Sequence, residues 1–200
     1  MYETFVLRKM EKGKIQGYSW ALDDPEKVVC IVHGIGEYGG RFDRVAEKFR
    51  NANIAVLALD LRGHGDSIEK KGHCAPREEV LEDISALLLY AQEKYPGKQI
   101  VLYGHSMGGN ISMDYRKRGN LNGELSGFLI SAPWVQLVRN FPAPVQAAAK
   151  AAAKVLPSMT IGSGVSEKEL GNKKSVGDYI DNPLVHRRVS MQCAVDGFTI

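Results

Sequence analysis

The chain has 200 residues, 44% of them hydrophobic and 24% charged, which is typical of one globular domain with a sizeable core. Its formal net charge of +3 is spread along the whole length without a long basic block, so the composition gives little support to nucleic-acid binding. No apolar run is long enough for a transmembrane helix, and the first residues lack the apolar stretch of a signal peptide, so we expect a cytoplasmic protein.

The first part of the chain predicts an antiparallel hairpin and then a buried strand. Residues 2–8 and 14–22 are strand-like segments on either side of a turn signal, and we place this hairpin at one edge of a sheet. Residues 27–32 form the first fully apolar run and lead into a glycine-rich loop that begins at His33. This loop lacks the Gly-Lys-Ser/Thr ending of a P-loop. It could supply a backbone N–H group to an oxyanion hole, and Ile35 is the candidate donor.

The next elements are two helices with a second buried strand between them. Residues 42–51 and 78–95 carry apolar side chains at helical spacing, and residues 54–59 form a short apolar strand. The loop after this strand carries polar side chains that could be catalytic or structural. We expect Asp60 and Arg62 to brace the loop through hydrogen bonds rather than to act in catalysis.

The most informative stretch joins a predicted strand directly to a predicted helix. The apolar run at residues 100–103 is followed by Gly104, Ser106 and Gly108 in the G-x-S-x-G spacing of a nucleophile elbow. So sharp a turn leaves no room for side chains two residues before and two residues after the serine. This explains why both positions, 104 and 108, are glycine. Ser106 would stand at its tip, and the N–H group of Met107 would point toward a developing oxyanion. The alternative is a glycine-rich loop with an incidental serine, against which the flanking strand and helix argue.

A further buried strand is predicted at residues 125–132, which continues an alternation of strands and helices typical of an α/β fold with a parallel sheet. Polar side chains stand at the ends of the predicted strands, at His33, Asp60, Ser106 and Ser131. Because sites in open α/β sheets gather at the carboxyl ends of the strands, we expect the site there.

The character of the sequence changes at Pro133. Prolines and an Ala-rich helical run follow, and we interpret residues 133–190 as a cap inserted over the sheet. The resulting division is residues 1–132 for the core, 133–190 for the cap and 191–200 for the return toward the core. The apolar residues of the cap could line a tunnel for an acyl chain or could simply pack the cap onto the core. They are Trp134, Val135, Leu137, Val138, Phe141, Val145, Val155, Leu156 and Met159.

Four motifs occur together in order, at residues 33–42, 60–67, 104–109 and 181–186. With these motifs the chain resembles the monoacylglycerol lipase and lysophospholipase branch of the α/β-hydrolase superfamily over nearly its whole length. The resemblance implies a mostly parallel sheet flanked by helices, with a helical cap. It also implies a serine hydrolase that cleaves carboxylic esters bearing a single acyl chain.

The resemblance assigns roles to individual residues of this sequence. Ser106 matches the nucleophile, and Ile35 and Met107 match the positions whose backbone N–H groups form the oxyanion hole. Gly34 and His105 match positions that shape the substrate site. The implied partner is a small-molecule acyl ester, with transient contact between the cap and a membrane or micelle. The three cysteines are far apart and odd in number, so neither a disulfide framework nor a zinc site is predicted, and no cofactor is expected.

The sequence departs from the resemblance after the cap. The chain order of the fold is nucleophile, acid and then histidine, and in this family the last two follow the cap. His186 is the only histidine downstream of Ser106, and a triad through Asp178 or Asp181 and His186 stays open as an alternative. We expect instead that the chain is the N-terminal portion of a longer enzyme, with the acid and the histidine beyond residue 200.

Two other functions stay open from the sequence. The pocket could hold a lipid without cleaving it, because the acid and the histidine are not found where the fold places them. The same scaffold could also serve a peptidase or a thioesterase, because fold does not fix substrate. The apolar character of the predicted cap favours the ester.

Overall fold

A six-stranded sheet forms the centre of the molecule in the computed structural model, which describes residues 1–135, 142–164 and 182–197. Its strands are β1 (Glu3–Met10), β2 (Gly13–Trp20), β3 (Lys27–Val32), β4 (Ile54–Leu59), β5 (Gln99–His105) and β6 (Gly127–Ser131). Their order across the sheet is β1-β2-β4-β3-β5-β6. The pairs between β1, β2 and β4 are antiparallel, and those between β4, β3, β5 and β6 are parallel. The predicted α/β fold, with a hairpin at one edge of the sheet, is confirmed.

Helices and a second, smaller sheet complete the described part of the chain. The helices are α1 (Asp43–Asn51), α2 (Arg77–Lys94), α3 (Met107–Arg118), α4 (Ala143–Val155) and α5 (Met191–Gly197). The smaller sheet is an antiparallel pair of β7 (Thr160–Gly162) and β8 (Arg188–Ser190). None of the helices in the described ranges is both long and apolar enough to cross a membrane.

The parallel strands are covered on both faces. On one face, Leu57 of β4 belongs to a buried cluster with Ile84 of α2 and Ile111 of α3. On the other face, Ile31 of β3 is buried in a second cluster with Ala46 of α1. Strands buried on both faces need no polar alternation, which explains why β3 and β4 are continuous apolar runs in the sequence.

The last strand of the sheet differs from its prediction. The sequence predicts a buried strand over residues 125–132, whereas β6 is shorter and leaves Leu129 and Ile130 at 43% and 36% exposure. Within the described ranges β6 pairs with β5 alone, so one of its edges carries no partner strand. A short apolar run has the same sequence pattern whether the strand lies in the centre of a sheet or at its edge. The pattern therefore could not predict that β6 is partly exposed.

The segment interpreted as a cap contributes α4, β7 and β8 to the described residues, and α4 coincides with the predicted Ala-rich helix. Five of the predicted tunnel residues are largely exposed: Val135, Val145, Val155, Leu156 and Met159, at 61%, 47%, 77%, 54% and 40%. Trp134 packs against the main core instead. Leu137, Val138 and Phe141 lie outside the described residues. The described side chains therefore do not enclose an acyl tunnel, and the boundaries of the cap stay a prediction.

Candidate active site

Ser106 stands at the turn between β5 and α3 in a backbone conformation that is rare for a residue with a side chain. Its φ and ψ are 53° and −117°, outside the regions that such residues ordinarily occupy. Conformations of this kind cost about 1–3 kcal/mol and persist only where surrounding contacts hold them. Here the Ser106 N–H donates to the Ser131 carbonyl at 3.0 Å, and the Ser106 carbonyl accepts the Trp134 N–H at 2.9 Å. The end of β6 and the residues after it therefore hold the turn in place.

Two glycines make this turn sterically feasible. A Cβ at Gly104 would lie 2.8 Å from the Gly108 carbonyl carbon, and a Cβ at Gly108 would lie 2.5 Å from the His33 carbonyl oxygen. Real Cβ atoms essentially never approach other atoms so closely, so neither position accepts a side chain unless the backbone shifts. Gly108 thus also allows the first turn of α3 to rest against the end of β3.

The loop after β3 lies directly against Ser106. A Cβ at Gly34 would come within 3.1 Å of the Ser106 Cβ. Residues 34–37 form a tight turn in which the Glu37 N–H donates to the Gly34 carbonyl at 3.4 Å and Gly36 has a φ of 74°. The Glu37 carboxylate also accepts the Gly34 N–H at 3.2 Å. The loop is therefore fixed by its own hydrogen bonds beside the serine.

Two backbone N–H groups next to this contact have no hydrogen-bond acceptor within the described ranges. They belong to Ile35, which follows Gly34 in the turn, and to Met107, the first residue of α3. The first N–H groups of a helix have no intrahelical acceptor. The N–H of Met107, the first residue of α3, can therefore donate to a bound ligand. Donors held in place beside a nucleophile can stabilise an oxyanion in the transition state.

His105 lies on the loop side of the site. Its Nδ1 is 3.3 Å from the Ser131 hydroxyl oxygen, and its ring packs edge-on against Phe42 with the ring centroids 6.1 Å apart. A Cβ at Gly34 would be 3.6 Å from its Cδ2. The structure thus brings together all five residues that the sequence singled out: Gly34, Ile35, His105, Ser106 and Met107.

No histidine ring hydrogen-bonds to the Ser106 hydroxyl in the part of the chain that the structure describes, which contains all five histidines. His33, nearest along the chain to the glycine-rich loop, is fully buried. Its Nδ1 donates to the Gly34 carbonyl at 2.7 Å, and its Nε2 accepts the Leu61 N–H at 3.0 Å. Burial lowers the pKa of His33 to about 4, so the ring is neutral at neutral pH. Its role is to hydrogen-bond backbone groups of the two loops.

The alternative triad through His186 has no support in this geometry. Its Nε2 donates to the Gly63 carbonyl at 2.9 Å, and its Nδ1 accepts the Arg188 N–H at 3.2 Å. Both ring nitrogens are therefore engaged with the backbone. Asp178 and Asp181 lie outside the described residues.

Asp60 braces the loops around the site, as the sequence suggests. Its carboxylate is fully buried and accepts the Tyr18 hydroxyl at 2.9 Å and the N–H groups of Gly39 and Asp66 at 2.7 and 2.8 Å. Burial raises the pKa of Asp60 to about 6, and the accepted hydrogen bonds partly offset that rise. Arg62 is likewise buried, and its Nε donates to a carboxylate of α2 at 2.6 Å.

The buried histidines contribute stability that grows as the pH rises from about 4 to about 6.5. Burial holds the pKa of His33 at about 4, below its ordinary 6.5, so the unfolded chain binds more protons in this window. The free energy of unfolding therefore rises by about 3 kcal/mol through His33. His64 adds to the rise because burial also holds its pKa well below 6.5. Asp60, with a pKa of about 6, changes the unfolding free energy in the opposite direction by about 2 kcal/mol, so the contribution of His33 is best isolated by its substitution.

Urea unfolding at about pH 4.5 and about pH 6.5 measures this dependence. In His33→Gln the side-chain amide does not titrate, so the gain in unfolding free energy over this range should be about 2 kcal/mol smaller than in the wild type. The same pH dependence in both proteins would contradict the role given to His33.

Asn110, which sequence reasoning did not single out, ties the site to the segments that follow β6. Its Nδ2 donates to the Trp134 carbonyl at 2.7 Å and to the Gly197 carbonyl at 3.1 Å, and its Oδ1 accepts from Arg77 at 3.1 Å. Trp134 in turn donates its N–H to the Ser106 carbonyl. The sequence offered one signal for this role. Asn110 is a polar residue one turn beyond the serine on a helix expected to pack against the sheet, and a buried polar side chain needs hydrogen-bond partners.

The chain matches a hydrolase family model, and lipases are among the curated proteins that it resembles. The family model described as serine aminopeptidase, S33 (Hydrolase_4), matches residues 23–200. A monoacylglycerol lipase of Mycolicibacterium smegmatis is 34% identical over 168 residues, which make up 84% of this chain and 59% of that protein. The monoglyceride lipase of Mus musculus is 32% identical over 164 residues, 82% of this chain and 54% of that protein. The chain thus spans a little over half the length of these curated relatives.

Solved structures match the same architecture. The crystal structure of a monoacylglycerol lipase from Paleococcus ferrophilus has a TM-score of 0.77 at 29% identity, covering 93% of this chain and 68% of that one. A soluble variant of monoglyceride lipase from Saccharomyces cerevisiae, in complex with a substrate analog, has a TM-score of 0.82 at 22% identity. That match covers 98% of this chain and 66% of the yeast chain. At 22% identity it shows a similar fold and no more.

Proposed function

The chain belongs to the serine aminopeptidase S33 family of α/β-hydrolases, and on this basis we propose that it is a serine ester hydrolase. Its substrates would be carboxylic esters of a single acyl chain, of the monoacylglycerol or lysophospholipid type. The observation that carries the proposal is the geometry around Ser106. Its backbone has a strained, positive φ, and the neighbouring loop presents the Ile35 N–H, which has no acceptor among the described residues. The relatives named monoacylglycerol lipase support the ester class.

The mechanism that we propose follows from this arrangement. Ser106 Oγ attacks the ester carbonyl while a general base takes its proton, and the carbonyl oxygen becomes an oxyanion. The N–H groups of Ile35 and Met107 stabilise that charge. The bond to the alcohol breaks, the alcohol leaves with a proton, and the acyl group stays on Ser106. Water then attacks the acyl-enzyme and releases the fatty acid.

We also propose that the general base and its carboxylate come from polypeptide outside residues 1–200. The histidine contacts support this, because no described ring reaches the Ser106 hydroxyl. The greater length of the curated relatives is consistent with it.

The remaining parts of the site have simpler proposed roles. Gly34 and His105 would contact the substrate, Gly34 because a side chain there would crowd Ser106 and His105 because it lies against the same loop. The reaction as proposed needs no metal and no cofactor. The exposed apolar side chains of the predicted cap, such as Val155 and Leu156, would make transient contact with a membrane or micelle that holds the substrate. We place this activity in the cytoplasm.

A substrate panel tests the proposed reaction class. The full-length protein should hydrolyse a long-chain monoacylglycerol with a kcat/KM at least tenfold above that for the matching acyl thioester or for an aminoacyl peptide, a difference of about 1.4 kcal/mol in transition-state binding. Faster cleavage of the peptide would identify a peptidase instead. Saturable binding of the monoacylglycerol without turnover would identify the lipid-binding module.

A further inference from the structure

The last part of the predicted cap touches the loop beside Ser106. We call residues 182–187, which lie within the predicted cap of residues 133–190, the return segment. Its His186 N–H donates to the Gly36 carbonyl at 3.0 Å, and the Asn182 side chain donates to the Tyr38 hydroxyl at 3.0 Å. The turn at residues 34–37 therefore has a neighbour that is distant in sequence.

The side chain of His186 anchors this contact. Nε2 donates to the Gly63 carbonyl at 2.9 Å, and Nδ1 accepts the Arg188 N–H at 3.2 Å. An acceptor at Nδ1 and a donor at Nε2 define a neutral ring with its proton on Nε2. Burial lowers the pKa of His186, and the nearby positive charges of Lys71 and Arg188 lower it further. The ring is thus held in one tautomer and one orientation.

Three histidine rings form a column from the return segment to the site. The His186 ring lies 4.5 Å from that of His64, and the His64 ring lies 5.3 Å from that of His33. His33 ends the column with its hydrogen bond to the Gly34 carbonyl. The turn at residues 34–37 is consequently held at two of its residues, at Gly34 by the His33 ring and at Gly36 by the backbone N–H of His186.

The residue between these two anchored glycines is Ile35, whose N–H is a proposed oxyanion donor. Gly36 adopts a φ of 74°, so the turn depends on a backbone conformation that glycine tolerates and that can relax easily when unsupported. A donor contributes to catalysis only while it is fixed in direction, because a mobile dipole must reorganise during the reaction.

We propose that His186 is a positioning residue for the oxyanion hole: its ring, fixed on Gly63, presents its backbone N–H to Gly36 and thereby orients the Ile35 N–H. The proposal rests on the proposed function of the site. It makes the return segment, as part of the predicted cap, a direct link from the cap to the chemistry at Ser106. His186 takes no proton from the serine and does not touch the substrate.

Two substitutions at His186 separate its hydrogen bonds from its ring, and a substitution at a different histidine, His73, provides the control. His186→Phe keeps the aromatic ring but removes both ring nitrogens, whereas His186→Gln keeps an N–H donor at the reach of Nε2. His73→Phe makes the same change at a half-buried histidine that bonds to the Ser190 hydroxyl and not to the turn at residues 34–37. His186→Asn, whose amide is too short to reach Gly63, replaces the Phe variant should that protein fail to fold.

Two measurements follow for each variant. Amide hydrogen exchange across residues 33–40 reports the rigidity of the turn without any need for activity. Ester hydrolysis, normalised to the fraction of protein that reacts with a fluorophosphonate, reports kcat for folded sites only. His186→Phe should raise the exchange rate in this peptide and lower kcat by about tenfold with KM within twofold, since loss of one whole donor costs on the order of 10²-fold or more. His186→Gln and His73→Phe should match the wild type in both.

Unchanged exchange at residues 33–40, or an unchanged kcat, in a folded His186→Phe protein would overturn the proposal. So would an equal loss in His73→Phe, because it would indicate a general effect on stability. A wild-type protein without ester hydrolysis would contradict the proposed function, and the exchange comparison alone would then decide whether His186 holds the turn.

Discussion

Ser106→Ala is expected to lower ester hydrolysis by the full-length protein by on the order of 10⁴- to 10⁶-fold. In the proposed mechanism the hydroxyl is the only group of this residue that can form the acyl-enzyme, and removing it would leave transition-state stabilisation by the proposed oxyanion hole alone. Stability should change little, because the structure gives the Ser106 hydroxyl no hydrogen-bond partner within the described ranges. The strained backbone would accept alanine about as well as serine, since both carry a Cβ.

The measurement is kcat/KM for a short-chain p-nitrophenyl ester, with Ser126→Ala as the matched control. Ser126 is exposed and lies immediately before β6, away from the end that holds Ser106. The control should retain wild-type activity and the same melting temperature. Turnover by Ser106→Ala within tenfold of wild type would reject Ser106 as the nucleophile.

Gly108→Ala is expected to damage both the fold and the activity. The added Cβ would lie 2.5 Å from the His33 carbonyl oxygen and would also press on that of Val32. These neighbours are backbone atoms at the end of β3, so they cannot rotate away, and we expect a cost of about 3 kcal/mol or more. Any relief would move the first turn of α3, which carries the Met107 N–H, and a displacement of about 1 Å at a site lowers rates by on the order of 10²-fold.

Urea unfolding and ester hydrolysis of the same samples test this expectation, with Gly123→Ala as the control. A Cβ at Gly123 would meet no atom within 4 Å, so that variant should be close to wild type in both measurements. A Gly108→Ala protein that is as stable and as active as Gly123→Ala would contradict the close packing of α3 on β3.

The sequence predicted the centre of the sheet well because its signals there are local. β3 and β4 fall on the same residues as the apolar runs that predicted them. The elbow was recognisable because a strand, a helix and two glycines each leave a trace within a few residues of Ser106. The loop at Gly34 could be placed next to the serine from the rule that sites gather at the carboxyl ends of parallel strands.

The features that sequence reasoning missed depend on contacts between distant segments. The Asn110 amide reaches Trp134, and the His186 ring reaches Gly63, through packing that no spacing rule encodes. Cys74 and Cys193 are far apart in sequence, yet their thiols are close enough to hydrogen-bond. The exposure of β6 was missed for a similar reason, because burial of an apolar strand is decided by its neighbours.

Covalent labelling of the full-length protein with a fluorophosphonate, followed by peptide mapping, addresses the nucleophile most directly. A serine reacts quickly with this probe only when a base activates it and donors stabilise the resulting phosphonyl oxygen. We expect one rapidly labelled site, Ser106, and no rapid labelling in Ser106→Ala. Rapid labelling at another serine, or no labelling of folded wild-type protein, would contradict it.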